Sequence, residues 1–196
     1  MKKLTSTLIA AGVIAGASMS APAMAEGPSA NVGFVSDYIW RGDTQSDNKA
    51  AVQGGLDWEK DKLSFGVWGS SLGSTYTGSE IDLYGSYNFG PVAVGAIYYY
   101  YDLAGGSFYE VNVGGDLGPV SLMASYNPDA STYYVEGSYS YEMAKGVSLD
   151  LHAGQQQDAT ADYSVGISGS MGGLDLGATY ANKDEGVFFV SVGKSM

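Results

Sequence analysis

The sequence predicts an all-β fold, namely a 12-stranded antiparallel up-and-down transmembrane β-barrel preceded by a cleaved signal peptide. Three observations predict it: an export signal at the N-terminus, apolar side chains at every second position, and connections that alternate between tight turns and longer polar loops. The chain has 196 residues with 29 Gly and 16 Tyr but only 5 Pro, a composition that favours many closely packed strands in one domain.

Residues 1–25 have the features of a bacterial secretory signal. A short basic start is followed by an apolar run over residues 8–17 and by the small-x-small cleavage site Ala23-Met24-Ala25. The alternative, an N-terminal membrane anchor, is disfavoured because the run is short and rich in Ala and Gly. We therefore expect residues 1–25 to be removed and residues 26–196 to form the barrel.

The rest of the chain has a period of two rather than 3.6. Large apolar side chains alternate with small or polar ones, as in strands whose two faces meet different environments. The predicted strands are 32–40, 52–58, 63–67, 81–89, 92–101, 109–117, 120–126, 133–141, 147–153, 163–167, 174–180 and 188–192. Bacterial outer-membrane barrels also have an even number of strands.

The connections between these strands differ in length at the two ends of the predicted barrel. Gly90-Pro91, Gly118-Pro119 and Gly172-Gly173 are tight-turn sequences, because Gly and Pro supply the backbone angles that such turns need. Most of the intervening connections are longer and polar: 41–48, 73–78, 127–131, 155–161 and 182–186. Short turns at one end and longer loops at the other indicate an outer-membrane barrel with both termini in the periplasm.

Aromatic residues fall at the ends of the predicted strands, mostly on the apolar face. Their rings suit the lipid headgroup level, which is apolar on one side and wet on the other. The predicted girdle consists of Trp40, Trp58, Tyr87, Phe89, Tyr100, Tyr126, Tyr141 and Tyr180. The alternative is a soluble β-sandwich or lipocalin-like barrel, which would bury the apolar face in a protein core.

The charge of the chain excludes some functions and suggests another. With 9 Lys+Arg against 21 Asp+Glu, the chain is repelled by nucleic acid, and the lack of Cys excludes disulfides and thiolate metal sites. Acids recur on the polar face of the strands, where a lumen would lie: Asp37, Asp57, Glu59, Asp82, Glu110, Asp116, Glu136, Glu142, Asp150, Asp162 and Asp175.

Such a lumen would favour cations. The acids predicted to line the pore are Asp57, Asp82, Glu110, Glu136, Asp150, Asp162 and Asp175. We expect no specific metal site and no cofactor, because the sequence contains neither a calcium-loop spacing nor a phosphate-binding motif.

Two basic side chains are candidates for a constriction or a rim. Arg41 begins the first long loop beside Asp43, so it could form a rim salt bridge or pair with a lumen acid. Arg41-Gly42-Asp43 spells an adhesion tripeptide, but a lone three-residue match is weak. His152 lies beside Asp150 on the polar face, where a hydrogen-bonded lumen residue is favoured over the Ser–His pair of a hydrolase.

Two stretches carry a family resemblance. Residues 36–46, Ser-Asp-Tyr-Ile-Trp-Arg-Gly-Asp-Thr-Gln-Ser, together with residues 51–58, resemble the opening of the TorF family of porins. Residues 65–71 and 80–85 resemble the next block of that family. The resemblance implies an outer-membrane β-barrel with a poorly defined transport role and no catalytic set.

The expected function is passive diffusion of small cationic or neutral solutes through an outer-membrane channel. The expected partners are outer-membrane lipid and the barrel-assembly machinery. Two alternatives stay open. One is a structural or surface-interaction barrel whose interior is filled by Trp68, Tyr84, Tyr99 and Tyr134. The other, less favoured, is a barrel-embedded hydrolase that uses His152.

Overall fold

The computed structural model describes residues 27–75, 78–103 and 106–196, so the predicted signal peptide lies outside the described residues. The strands are β1 (Gly27–Val35), β2 (Ile39–Trp40), β3 (Asp43–Thr44), β4 (Ala51–Lys60), β5 (Leu63–Ser71), β6 (Ser79–Asn88), β7 (Ala93–Tyr101), β8 (Gly106–Leu117), β9 (Val120–Asn127), β10 (Thr132–Ala144), β11 (Val147–Gln156), β12 (Asp162–Met171), β13 (Leu174–Asn182) and β14 (Gly186–Ser195).

Twelve of these strands form one closed antiparallel barrel, which confirms the predicted fold. β4 to β14 pair in sequence order, and β1 closes the ring by pairing with β4 on one side and β14 on the other. In the closing pair, Val32 lies opposite Lys194 and Phe34 lies opposite Val192. Closure leaves no strand edge with unpaired backbone groups, which is the condition for a β-sheet to lie in lipid.

The predicted first strand, residues 32–40, is wrong in its second half. β1 ends at Val35, after which the chain turns into the barrel as the separate hairpin β2–β3. Asp37 forms this bend, because its Oδ1 accepts hydrogen bonds from Thr44 Oγ1 at 2.6 Å and from Ser46 Oγ at 2.8 Å. We call residues 36–50 the inner hairpin.

The outward face of the barrel is apolar, with aromatic rings near both ends. Exposed rings near the tight turns are Phe65, Tyr87, Phe89 and Tyr141, and those near the loops are Phe34, Tyr98, Tyr100, Tyr109, Tyr126, Tyr133, Tyr163, Tyr180 and Phe188. Aliphatic side chains such as Leu56, Leu83 and Val165 lie between these two belts. This arrangement matches a hydrocarbon band between two headgroup levels. The described residues, 27–75, 78–103 and 106–196, contain no helical segment with the length and hydropathy of a membrane span.

The buried core lies inside the barrel, in the half nearer the loops. Tyr38 of the inner hairpin packs edge-on against Trp68 of β5, with ring centroids 5.6 Å apart. Ile39 packs on the other side of the barrel against Ala181 and Phe189. The hairpin therefore crosses the interior from wall to wall, and the functional site must be sought around it.

Candidate functional site: the barrel interior

Arg41 lies at the tip of the inner hairpin and binds the barrel wall. Its Nη1 donates to Glu110 Oε1 at 2.9 Å and to Gln156 Oε1 at 3.2 Å, and its Nη2 donates to Glu110 Oε2 at 2.6 Å. The guanidinium carbon is 4.4 Å from the Trp40 ring centroid and 4.2 Å from that of Tyr134. Two-pronged pairing with a carboxylate and two ring faces together fix both the position and the plane of the guanidinium.

The backbone at the hairpin tip is built for a tight reversal. Arg41 has φ 49° and Gly42 has φ 80°, so both central residues of the turn have positive φ, as in a type I′ turn. Glycine adopts this conformation freely, whereas an L side chain such as that of Arg41 does so at a cost of about 1–2 kcal/mol. The contacts of its guanidinium with Glu110 and Gln156 offset this cost, so the conformation of the tip depends on these wall residues.

A second network surrounds His152 on β11. His152 Nε2 lies 3.1 Å from Asp162 Oδ1, and its Nδ1 lies 3.5 Å from Glu136 Oε2. Tyr134 Oη donates to Asp162, with 3.0 and 3.1 Å to the two carboxylate oxygens. Because the Tyr134 ring also lies against Arg41, the network continues from His152 to the hairpin tip. The connected network contains three acids, Glu110, Glu136 and Asp162, and two bases, Arg41 and His152.

Glycine provides the space for the Tyr134 ring. Gly154 of β11 faces the ring, and a Cβ at this position would overlap the Tyr134 hydroxyl. Gly66 of β5 does the same for Tyr84, since a Cβ there would lie 2.6 Å from the ring. Each tyrosine can lie flat along the wall only because the facing residue has no side chain.

Glu80 and Asp82 lie on the opposite wall, on the inward face of β6. Both are buried, with 2% and 0% of their surface exposed. Glu80 Oε1 accepts a hydrogen bond from Tyr101 Oη at 2.9 Å. The sequence interpretation included Asp82 but missed Glu80, because the predicted strand began at residue 81. The two-residue spacing to Asp82 was the signal that could have found it.

Two further contacts tie the inner hairpin to the loops. Next to the turn at the tip, Lys183 Nζ lies 2.6 Å from Asp43 Oδ2. Asp47 Oδ2 accepts hydrogen bonds from Ser74 Oγ and from the Thr75 amide at 2.8 Å, and these donors lower the Asp47 pKa from its ordinary value of 3.8 to about 2. The hairpin is thus fastened at its tip and at its outer end.

The half of the interior nearer the tight turns is lined by small polar side chains. Asp150 accepts hydrogen bonds from Ser140 Oγ at 2.7 Å and from Ser168 Oγ at 2.6 Å. Asp175 accepts one from Ser170 Oγ at 2.7 Å, and Asp57 accepts one from Tyr84 Oη at 2.5 Å. Among the described residues no basic side chain forms an ion pair with these three acids, so this half forms a negative vestibule.

The predicted pore residues fall into two groups. Asp82, Glu110, Glu136 and Asp162 surround the inner hairpin, and Asp57, Asp150 and Asp175 line the vestibule. Arg41 and His152 belong to the first group. On the described barrel strands, no Lys or Arg occupies an inward position.

The roles of three other side chains differ from the sequence interpretation. Trp40 is not a girdle residue, because its ring packs inside against Tyr99, with 6.0 Å between centroids. Asp37, counted among the polar-face acids, shapes the bend of the hairpin. Asp43 pairs with Lys183 rather than with Arg41.

A family model covers nearly all of the chain. Residues 20–194 match the family described as "Bacterial protein of unknown function (Gcw_chp)". The chain belongs to the Gcw_chp family. The narrower TorF resemblance stays a prediction for this Gcw_chp protein. No curated protein matches its sequence significantly.

Two solved porin structures are among those similar to this Gcw_chp protein. A KdgM porin is similar with a TM-score of 0.59 and 9% identity, covering 85% of this chain and 97% of that one. A mutant of Rh. blastica porin has a TM-score of 0.48 and 12% identity, covering 88% of this chain and 75% of that one. At the identity of the first pair, the likeness establishes a porin-like fold and nothing finer.

Proposed function

We propose that this protein is an outer-membrane channel for the passive diffusion of small solutes and that it prefers cations. The observation that carries the proposal is the sign of the interior charge. Acids line both halves of the interior, whereas the described barrel strands carry no inward Lys or Arg. A narrow passage bounded by carboxylates lowers the energy of a cation and raises that of an anion.

The outer surface supports the proposed location. Two aromatic belts enclose an aliphatic band, so the barrel presents to its surroundings the surface that a bilayer matches. Residues 1–25 would direct export and be cleaved, after which the assembly machinery would insert the barrel with its tight turns in the periplasm. The likeness of fold to the KdgM porin supports a channel by analogy only.

The inner hairpin is the proposed constriction. Arg41 contributes a positive charge, but its two-pronged contact with Glu110 neutralises that charge. Glu136, Asp162 and His152 remain beside the hairpin tip, and their two carboxylates outnumber the single imidazole, so the constriction is negative. The surroundings of His152 also support a channel over a Ser–His hydrolase, because its ring nitrogens face Asp162, Glu136 and the Tyr134 hydroxyl rather than a serine.

The test is the reversal potential across a planar bilayer that separates two KCl concentrations. We expect a potential of the sign for K⁺ preference, and a smaller one for the double variant Asp150→Asn with Asp175→Asn. The matched control is Asp102→Asn, in a loop outside the vestibule, which should leave the potential unchanged. Anion preference in the unmodified protein would contradict the proposal.

A second candidate function, a barrel closed by its own plug, is favoured by one observation. The hairpin and the buried rings of Tyr38, Trp68, Tyr99 and Tyr134 occupy much of the loop half of the interior. A plugged barrel would conduct only after deletion of residues 39–44. A channel would conduct with the hairpin in place and conduct more without it. Single-channel recording of both proteins therefore separates the two functions.

A further inference from the structure

Glu80 and Asp82 are buried acids whose charge the structure leaves unbalanced. Their exposed fractions are 2% and 0%, and three of their four carboxylate oxygens have no hydrogen-bond partner among the described residues: Glu80 Oε2, Asp82 Oδ1 and Asp82 Oδ2. They lie two residues apart on the inward face of β6, close enough for each charge to act on the other. Two such carboxylates, both ionised and unpaired, would be strongly unfavourable.

The groups that face the pair are phenols and uncharged side chains. Tyr99 and Tyr101 face it from β7, Trp68 and Ser70 from β5, Tyr84 from β6 itself, and Tyr38 from the inner hairpin. In the part of the chain that the structure describes, no Lys, Arg or His forms an ion pair with either acid. Arg41, the cation of the hairpin tip, donates to Glu110 and Gln156 instead.

We propose that Glu80 and Asp82 form a proton-binding site, in which one proton shared by the pair holds the inner hairpin in the barrel. A neutral Asp82 carboxyl donates its O–H to Glu80 Oε2. This single bond gives partners to two of the three unpartnered oxygens, while Tyr101 donates to the other oxygen of Glu80. The pair then carries one negative charge, which the phenols can stabilise.

The ligand that fits this pair is a proton rather than a metal ion. A hard divalent cation takes six to eight oxygen ligands, or keeps several waters of its own. The pair offers two carboxylates sealed from water, and among the described residues no group of three or more acidic or imidazole side chains could hold a metal ion. A proton needs only one donor oxygen and one acceptor oxygen.

The site couples to the hairpin through Tyr38. This tyrosine is buried, faces Glu80 and packs against Trp68, which lies opposite Asp82 in the β5–β6 pair. When alkaline pH removes the shared proton, the second charge has no basic partner within residues 27–75, 78–103 and 106–196. Its hydration requires water to enter between β6 and the hairpin. We therefore expect the hairpin to loosen as the pH rises, and the conductance of the proposed channel to increase with it.

The first measurement detects the proton directly. Infrared spectra of the refolded protein at neutral pH should contain a carboxylic acid C=O band that Asp82→Asn removes. Asp57→Asn, which changes an inward acid bonded to a tyrosine, should retain the band. Absence of the band, or its persistence in Asp82→Asn, would overturn the proposal. Loss of the hairpin contacts on adding EDTA would overturn it in favour of a metal ion.

The second measurement follows the hairpin without relying on conductance. The chain has no Cys, so Lys49→Cys provides one site on the exposed part of the hairpin for a spin label. The label should become more mobile at alkaline pH in the otherwise unmodified protein and in Asp57→Asn, but not in Asp82→Asn. The same transition in all three would contradict the proposal, because tyrosine ionisation would then explain it. Absence of conductance at every pH would count against the proposed channel only. The infrared band and the spin-label mobility would still decide whether the proton site exists.

Discussion

At the scale of single residues, Arg41 is the most specific feature of the interior. Its guanidinium joins the hairpin tip to a glutamate 69 residues away, between two aromatic faces. The sequence left its partner open between a loop acid and a lumen acid. The structure pairs it with Glu110, which has 4% of its surface exposed, so loss of Arg41 would leave a buried carboxylate without its partner.

Arg41→Ala should therefore destabilise the barrel. Removing one partner of a buried ion pair costs about 3–5 kcal/mol, which a denaturant titration of the refolded protein would measure. Arg41→Lys should recover only part of the loss, because an ammonium cannot reproduce the two-pronged contact or the stacking. The double variant Arg41→Ala with Glu110→Gln is the control, and it should be more stable than Arg41→Ala alone. Equal stability of the two would contradict the role assigned to this pair.

Gly154 offers an independent test of the same site. Gly154→Ala places a methyl group where the Tyr134 hydroxyl lies, so the ring must move away from Asp162 and Arg41. We expect a loss of about 1–3 kcal/mol in the free energy of unfolding, as for other overpacked interiors. Gly106→Ala is the matched control, because a Cβ there meets no atom of the described residues within 4 Å. Similar losses for both would indicate a general effect of replacing glycine.

At the scale of elements, the inner hairpin is the part that the alternation pattern misidentified. Residues 32–40 alternate as one strand would, yet the ladder stops at Val35. Asp37, Thr44 and Ser46 hold the bend through side-chain hydrogen bonds, and Arg41-Gly42 forms the turn. A period of two reports which side chains alternate, but not whether the strand continues in the same sheet.

The contact of Asp47 with Ser74 and Thr75, at the outer end of the hairpin, should be lost at acidic pH. The donors Ser74 and Thr75 hold the Asp47 pKa at about 2, below its ordinary value of 3.8. A lowered pKa means that the contact contributes its full stability above pH 3.8 and loses it as the pH falls through 2. We expect the NMR signal of the Thr75 amide to shift over this interval, and Asp47→Asn to remove the transition. A transition centred near pH 3.8 would contradict the hydrogen bonds that Asp47 accepts from Ser74 and Thr75.

At the scale of the whole molecule, the closed ring exposes its apolar side chains to the surroundings. Leu83 is 55% exposed near the middle of β6, between the two aromatic belts. In water this exposure would favour aggregation, whereas in lipid it is the expected environment. The aromatic belts and the tight turns at one end therefore describe one consistent placement across a bilayer.

Leu83→Arg tests that placement. A cationic side chain at the midplane of a lipid-facing barrel wall costs about 2–4 kcal/mol, measurable by reversible unfolding from lipid vesicles. Leu103→Arg is the control, because Leu103 is 70% exposed in a loop and should tolerate the charge. Equal and small effects of both variants would mean that water, not lipid, contacts the middle of the barrel.

The amino-acid sequence was sufficient to assign the inward and outward side chains, because strand geometry sends alternate residues to opposite faces wherever the chain stays in one sheet. It also determined the twelve barrel strands and the tight turns, since Gly and Pro mark the reversals. Three features became apparent only from the folded barrel: the first loop turns inward, Arg41 pairs with Glu110, and Glu80 and Asp82 are buried without a basic partner among the described residues. These contacts join residues that are distant along the chain, and their existence depends on how the ring closes around the hairpin.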